Sequence, residues 1–165
     1  MQLNKTIDHT MLKPQMTNED ADKLCQEAVT HNFFSVCVPP SFVAFCNAKL
    51  KDSNVQVCTV IGFPHGNSLS STKALEAKAC VDLGASEIDM VMNISALKNK
   101  DYALVEKDIV AVVSAVQPKV VKVIIETALL TSEEKITAAK ICEKAGATFV
   151  KTSTGFNGDG AQLDD

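Results

Sequence analysis

The stretch "TFVKTSTG", residues 148–155, sets a lysine in the middle of an apolar strand that runs into a glycine turn. Thr148, Phe149 and Val150 precede Lys151, and Thr152, Ser153 and Thr154 follow it. An ammonium group buried without a partner costs several kcal/mol. Lys151 therefore either reaches solvent or has a task that offsets the cost.

Working outward, the same kind of segment recurs at intervals. "IDHT" (7–10), "FFSVCVPP" (33–40), "VQVCTVIGFPHG" (55–66), "SEIDMVMN" (86–93) and "VVKVIIET" (120–127) read as five earlier strands. Helical segments lie between them. Residues 17–32 begin with a Thr17 cap and an acidic first turn, and Ala21, Leu24, Cys25 and Ala28 keep helical spacing. Residues 41–50, capped by Ser41, residues 70–85, 101–116 and 131–147 complete the set, and "DGAQLDD" (159–165) reads as the start of one more helix.

Strands this apolar, alternating with helices, imply a parallel sheet covered by helices. An open doubly wound sheet and a closed eight-stranded barrel both satisfy the pattern. No G-x-G-x-x-G follows the first strand, which disfavours a dinucleotide-binding sheet. Polar groups within or just after several different strands favour the (β/α) TIM-barrel type. Six of its eight strand–helix units are recognisable, so the chain reads as a single barrel domain, residues 1–165, incomplete at its C-terminal end.

Composition narrows the function classes. Apolar residues make up 46% of the chain and the net charge is −4, which argues against a nucleic-acid surface. No apolar run is long enough to span a bilayer, and the first residues lack a secretory h-region. The six cysteines form no C-x-x-C pair and mostly lie in apolar segments, as expected of free thiols in the cytoplasm. The three histidines have no metal-ligand spacing, so neither a metal nor a cofactor is expected.

Three successive strands carry ionisable residues at apolar positions. These are Asp89 in "EIDMVMN", Lys122 and, at the same parity, Glu126 in "VKVIIET", and Lys151. Alternate residues of a barrel strand point inward, so Asp89, Lys122 and Lys151 can converge. A structural ion pair is the plain reading of any one of them. Three on consecutive strands favour a functional site. A lysine in an apolar wall beside a second cation is held partly neutral and can attack a carbonyl to form a Schiff base. A neighbouring carboxylate can move the protons.

The motifs "IDHTMLKP", "SVCVPPSFV", "CTVIGFPHG", "EIDMVMN", "VKVIIETALL" and "FVKTSTGF" resemble, in order and spacing, the strand motifs of the deoxyribose-phosphate aldolase family. The resemblance runs from Asn4 to the last residue. It implies a class I aldolase, a carbon–carbon lyase, that reversibly cleaves 2-deoxy-D-ribose 5-phosphate into acetaldehyde and D-glyceraldehyde 3-phosphate. By the same resemblance Lys151 is the Schiff-base lysine and Asp89 the carboxylate of the proton relay. Asp8, Thr10, Cys37, Lys122 and Gly155 match substrate-binding positions, with Cys37 matching a thiol known in the family to react with aldehydes and Gly155 a turn that helps to hold the phosphate.

The family barrel has two more strands. In the family the seventh supplies a second lysine, and the seventh and eighth supply most of the phosphate cradle. Nothing in residues 1–165 matches these parts. A fragment of a longer enzyme, a short form that completes its barrel by association, and an inactive remnant are all compatible with the sequence, the fragment ranking first. The expected partners are aldehyde and sugar-phosphate substrates, together with a second copy or a complementing chain. A non-catalytic barrel fragment and another Schiff-base aldolase or transaldolase are the alternative functions.

Overall fold

The computed structural model describes residues 2–165. Its strands are β1 (Asp8–Thr10), β2 (Ser35–Val38), β3 (Gln56–Ile61), β4 (Glu87–Val91), β5 (Val120–Ile124) and β6 (Phe149–Lys151). They form one sheet in sequence order, β1 to β6. The pairs β1–β2, β2–β3 and β5–β6 are parallel. The helices are α1 (Asn18–Thr30), α2 (Val43–Leu50), α3 (Ser70–Asp82), α4 (Ile94–Lys98), α5 (Tyr102–Val116) and α6 (Ser132–Lys144). The strand–helix alternation expected from the sequence is present. By internal contacts the chain divides into two compact units, residues 1–60 with 79–87, and residues 61–78 with 88–165.

In the first unit, α1 starts with a capping box, in which the Thr17 hydroxyl accepts from the Asp20 N–H and the Asp20 carboxylate accepts from the Thr17 N–H. Its buried face is the expected Ala21, Leu24, Cys25 and Ala28. Every residue of β2 is buried, as a central parallel strand requires. Ser41 does not cap the next helix. It lies in a 3₁₀ turn (Pro40–Phe42), and α2 begins at Val43 without a side-chain cap. The two prolines set this entry, because a proline at the first turn needs no N–H partner. The six cysteines are buried and none is in a disulfide among the described residues.

The second unit contains β4, β5 and β6, and both β4 and β5 are almost wholly buried. The Asp101 carboxylate caps α5, and a Thr131–Glu134 capping box starts α6. α4 was not expected; its cap is the Asn93 carboxamide, which accepts from the Ala96 N–H. Gly66 has φ +75°, and a Cβ there would lie 2.0 Å from the Met92 carbonyl oxygen, so glycine is required at this turn.

Two further expectations need correction. β6 ends at Lys151 instead of running to Gly155, because the backbone beyond it is drawn into bonds with residues 126 and 127. Residues 159–165 form turns, not a helix. The Asp165 carboxylate folds them back by accepting from Thr127 Oγ1 at 2.7 Å and Lys135 Nζ at 2.5 Å.

Candidate active site

The site is built on three strands of the second unit. β4 carries Asp89, with a fully buried side chain. In β5, Lys122 and Ile124 share a parity, and in β6 Phe149 and Lys151 do. The β5–β6 register pairs Lys122 with Phe149 and Ile124 with Lys151. Lys151 therefore stands one inward position further along the sheet than Lys122.

This offset lets one carboxylate meet both ammonium groups. Asp89 Oδ1 lies 3.2 Å from Lys122 Nζ, and Asp89 Oδ2 lies 2.5 Å from Lys151 Nζ. Lys122 is nearly enclosed, with 11% of its side chain exposed, whereas Lys151 is 33% exposed. Of the three groups, Lys151 is the one an incoming molecule reaches first. The trio carries a net formal charge of +1 behind an apolar wall, which favours an anionic visitor. Ser153 follows Lys151 at the same parity, and its buried hydroxyl has no hydrogen-bond partner among the described residues.

The other expected residues fall as follows. Asp8, Thr10 and Cys37 belong to the first unit. Asp8 Oδ1 accepts a 2.6 Å hydrogen bond from the Ser35 hydroxyl. The Thr10 hydroxyl donates to the Asp8 carbonyl at 2.8 Å. Cys37 sits opposite Thr10 in the β1–β2 register and is wholly buried. Gly155 belongs to the second unit, in an exposed turn with φ +78°.

One feature escaped the sequence reading, a buried ion pair in which Lys73 Nζ donates to Asp108 Oδ2 at 2.6 Å and to the Val91 carbonyl at 2.8 Å. Burial pushes the Lys73 ammonium below the usual lysine range, and Asp108 opposes that shift. Its signal was the spacing of Lys73, Ala77 and Cys80, which lie at i, i+4 and i+7 on the buried face of α3. Glu126, which the sequence sets at the same parity as Lys122, is fully buried at the end of the β5 segment. A cleft of about 510 Å³ follows β3 and is lined by Gly62, Phe63, His65, Thr72, Leu75 and Glu76; Asp89, Lys122 and Lys151 do not line it.

Six parallel strands in sequence order, each followed by a turn or helix, make this an α/β fold of the TIM-barrel aldolase class, partially present. The model of the DeoC/LacD family aldolases matches residues 3–165, and the chain belongs to that family, whose deoxyribose-phosphate aldolases are carbon–carbon lyases. It is 53% identical to a deoxyribose-phosphate aldolase of Streptococcus sanguinis, over 100% of this chain and 75% of that protein. Among solved structures it is similar to QR15, an aldolase, with TM-score 0.95 and 37% identity over 98% of this chain and 72% of that one. It is also similar to the deoxyribose phosphate aldolase of Aeropyrum pernix, with TM-score 0.85 and 32% identity, covering 93% of this chain and 65% of that one. Residues 1–165 thus span about two thirds to three quarters of these relatives.

Proposed function

We propose that the chain works as a class I aldolase on 2-deoxy-D-ribose 5-phosphate, through an imine on Lys151. The observation that carries this reading is the Asp89 carboxylate bridging Lys122 and Lys151. The names of the relatives supply the substrate class. We read residues 1–165 as belonging to a single (β/α) barrel domain, supported by the unbroken strand order. The cysteine usage supports a cytoplasmic setting, and no helix among the described residues is long and apolar enough to cross a membrane.

The chemistry runs on a proton exchanged between two touching groups. Lys151 must lose a proton before its amine can attack the C1 aldehyde of the open-chain sugar. Asp89 Oδ2 is in contact with that ammonium and takes the proton. Attack forms a C–N bond and a carbinolamine; loss of hydroxide as water, with the proton returned, leaves the protonated imine. Removal of the C3 hydroxyl proton then breaks the C2–C3 bond. Its electron pair moves into the iminium, giving an enamine and glyceraldehyde 3-phosphate. Protonation at C2 and hydrolysis release acetaldehyde and regenerate the amine. Lys122 keeps Asp89 oriented and supplies positive charge close to the nucleophile. Gly155 is assigned to the substrate phosphate.

The test is to incubate the protein with acetaldehyde and borohydride and to map the reduced adduct by mass spectrometry. Labelling of Lys151 that vanishes in Lys151→Leu is expected. Equal labelling of surface lysines, or none at Lys151, would sink the reading. Residues 1–165 alone are expected to trap aldehyde but to turn over the phosphorylated sugar slowly, because much of the family's phosphate cradle lies in the length of the relatives that they do not cover.

A further inference from the structure

We propose that Glu126 is a positioning residue that shapes the turn after β6 so that the Gly155 N–H is presented to the substrate phosphate; this rests on the aldolase reading above. Glu126 is fully buried and takes a left-handed backbone conformation, φ 54° and ψ 67°. A residue other than glycine holds that conformation only where its surroundings over-determine it. Its surroundings are the turn itself. Glu126 Oε1 accepts from the Thr154 N–H at 3.0 Å, and Oε2 accepts from the Thr154 hydroxyl and from Asn157 Nδ2 at 3.0 Å. The Thr154 oxygen in turn accepts from the Phe156 N–H at 3.1 Å.

The donors at Thr154 and Phe156 are thereby consumed on either side of Gly155. Among the described residues the Gly155 N–H meets no acceptor. Gly155 has φ +78°, and a Cβ built on it would meet nothing within 4 Å. Glycine is therefore needed there for the backbone angle and not for want of space, and the space over it is open to a ligand. An exposed N–H held at a left-handed turn is the unit from which anion-binding concavities are made. A buried carboxylate is a costly clasp for a turn with no task. Lys151 lies only four residues earlier, so the clasp fixes the distance between nucleophile and anion site.

The experiment follows the Gly155 amide by ¹⁵N–¹H NMR while inorganic phosphate is added. In the unmodified protein the resonance should shift saturably. The half-saturating concentration should rise at least tenfold in Glu126→Ala and at least threefold in Thr154→Val, a nearly isosteric change that removes the hydroxyl's bonds to Glu126 and to the Phe156 N–H. The same spectra report whether each variant is folded, and if Glu126→Ala is not, Thr154→Val decides. Unchanged half-saturation in the folded variants, or no Gly155 response in the unmodified protein, overturns the proposal. Borohydride trapping on the same samples separates the two readings. Lys151 labelling with a phosphate response that ignores both substitutions removes this inference alone. A Glu126-dependent phosphate response without Lys151 labelling removes the aldolase reading alone.

Discussion

Asp89 is the residue on which two others depend. Its carboxylate is buried and holds two ammonium groups, so Asp89→Asn leaves a pair of cations facing a neutral amide. Breaking a buried ion pair from one side costs about 3–5 kcal/mol. We expect a loss near the lower end, read from the urea midpoint, because Lys151 is partly exposed and can turn to solvent. Imine formation should slow by about 100-fold or more, the ordinary contribution of a positioned acid–base group. A slowing of less than threefold would mean that another group carries the proton. Lys73 offers a contrasting case. Lys73→Met strands Asp108 and removes a donor from the Val91 carbonyl, and should destabilise by about 3 kcal/mol or more. Combining it with Asp108→Leu should recover more than half of that loss, since an apolar pair fills the same space without an orphan charge.

At the scale of elements, the helix starts carry measurable energy. Thr131 Oγ1 accepts from the Glu134 N–H, and the Glu134 carboxylate accepts from the Thr131 N–H. Thr131→Ala should cost about 1 kcal/mol by thermal or urea unfolding. The folded-back segment that ends α6's neighbourhood is acid-sensitive. Hydrogen bonds from Lys135, then Thr127 and the Gln162 N–H, hold the Asp165 carboxyl at about 2, below its ordinary 3.8. A depressed carboxyl contributes stability above its unfolded value and loses it as pH falls through the folded one. Docking of residues 158–165 should therefore weaken between about pH 3.8 and 2. Carboxyl NMR on Asp165 checks this, and Lys135→Met should return the titration toward 3.8.

At the scale of the whole molecule, the sheet has two end strands. β1 and β6 each have one hydrogen-bonded neighbour, β2 and β5 respectively. β6 is the more exposed apolar edge, with Phe149 at 55% and Val150 at 45% exposure. An open apolar edge invites pairing with another chain. Residues 1–165 on their own are therefore expected to self-associate, with light scattering showing mass that rises with concentration. Val150→Lys should reduce the association by placing a charge on that edge. A monodisperse monomer at all concentrations would show that the edge is tolerated in water.

The sequence by itself determined the order and type of the major elements. Parallel strands buried on both faces must be apolar throughout, and helices between them must carry a 3.6-residue stripe, so both periods are written into the residues. It also marked the catalytic candidates, since Asp89, Lys122 and Lys151 are charged residues on three consecutive strands at positions that burial makes apolar. What it could not contain were relations between residues distant in the chain. Glu126 stands out in the sequence as a charge at an apolar strand position, but only its left-handed backbone turns its carboxylate onto Thr154, 28 residues later. Lys73 reads as a solvated helix residue until Asp108, 35 positions on, meets it in the interior. The single carboxylate shared by two lysines likewise depends on strand register, which sets how far Lys151 stands beyond Lys122. Local periodicity follows from each residue's own preference for water or interior; hydrogen-bond partners follow from which backbones the fold brings together, and only the tertiary structure decides that.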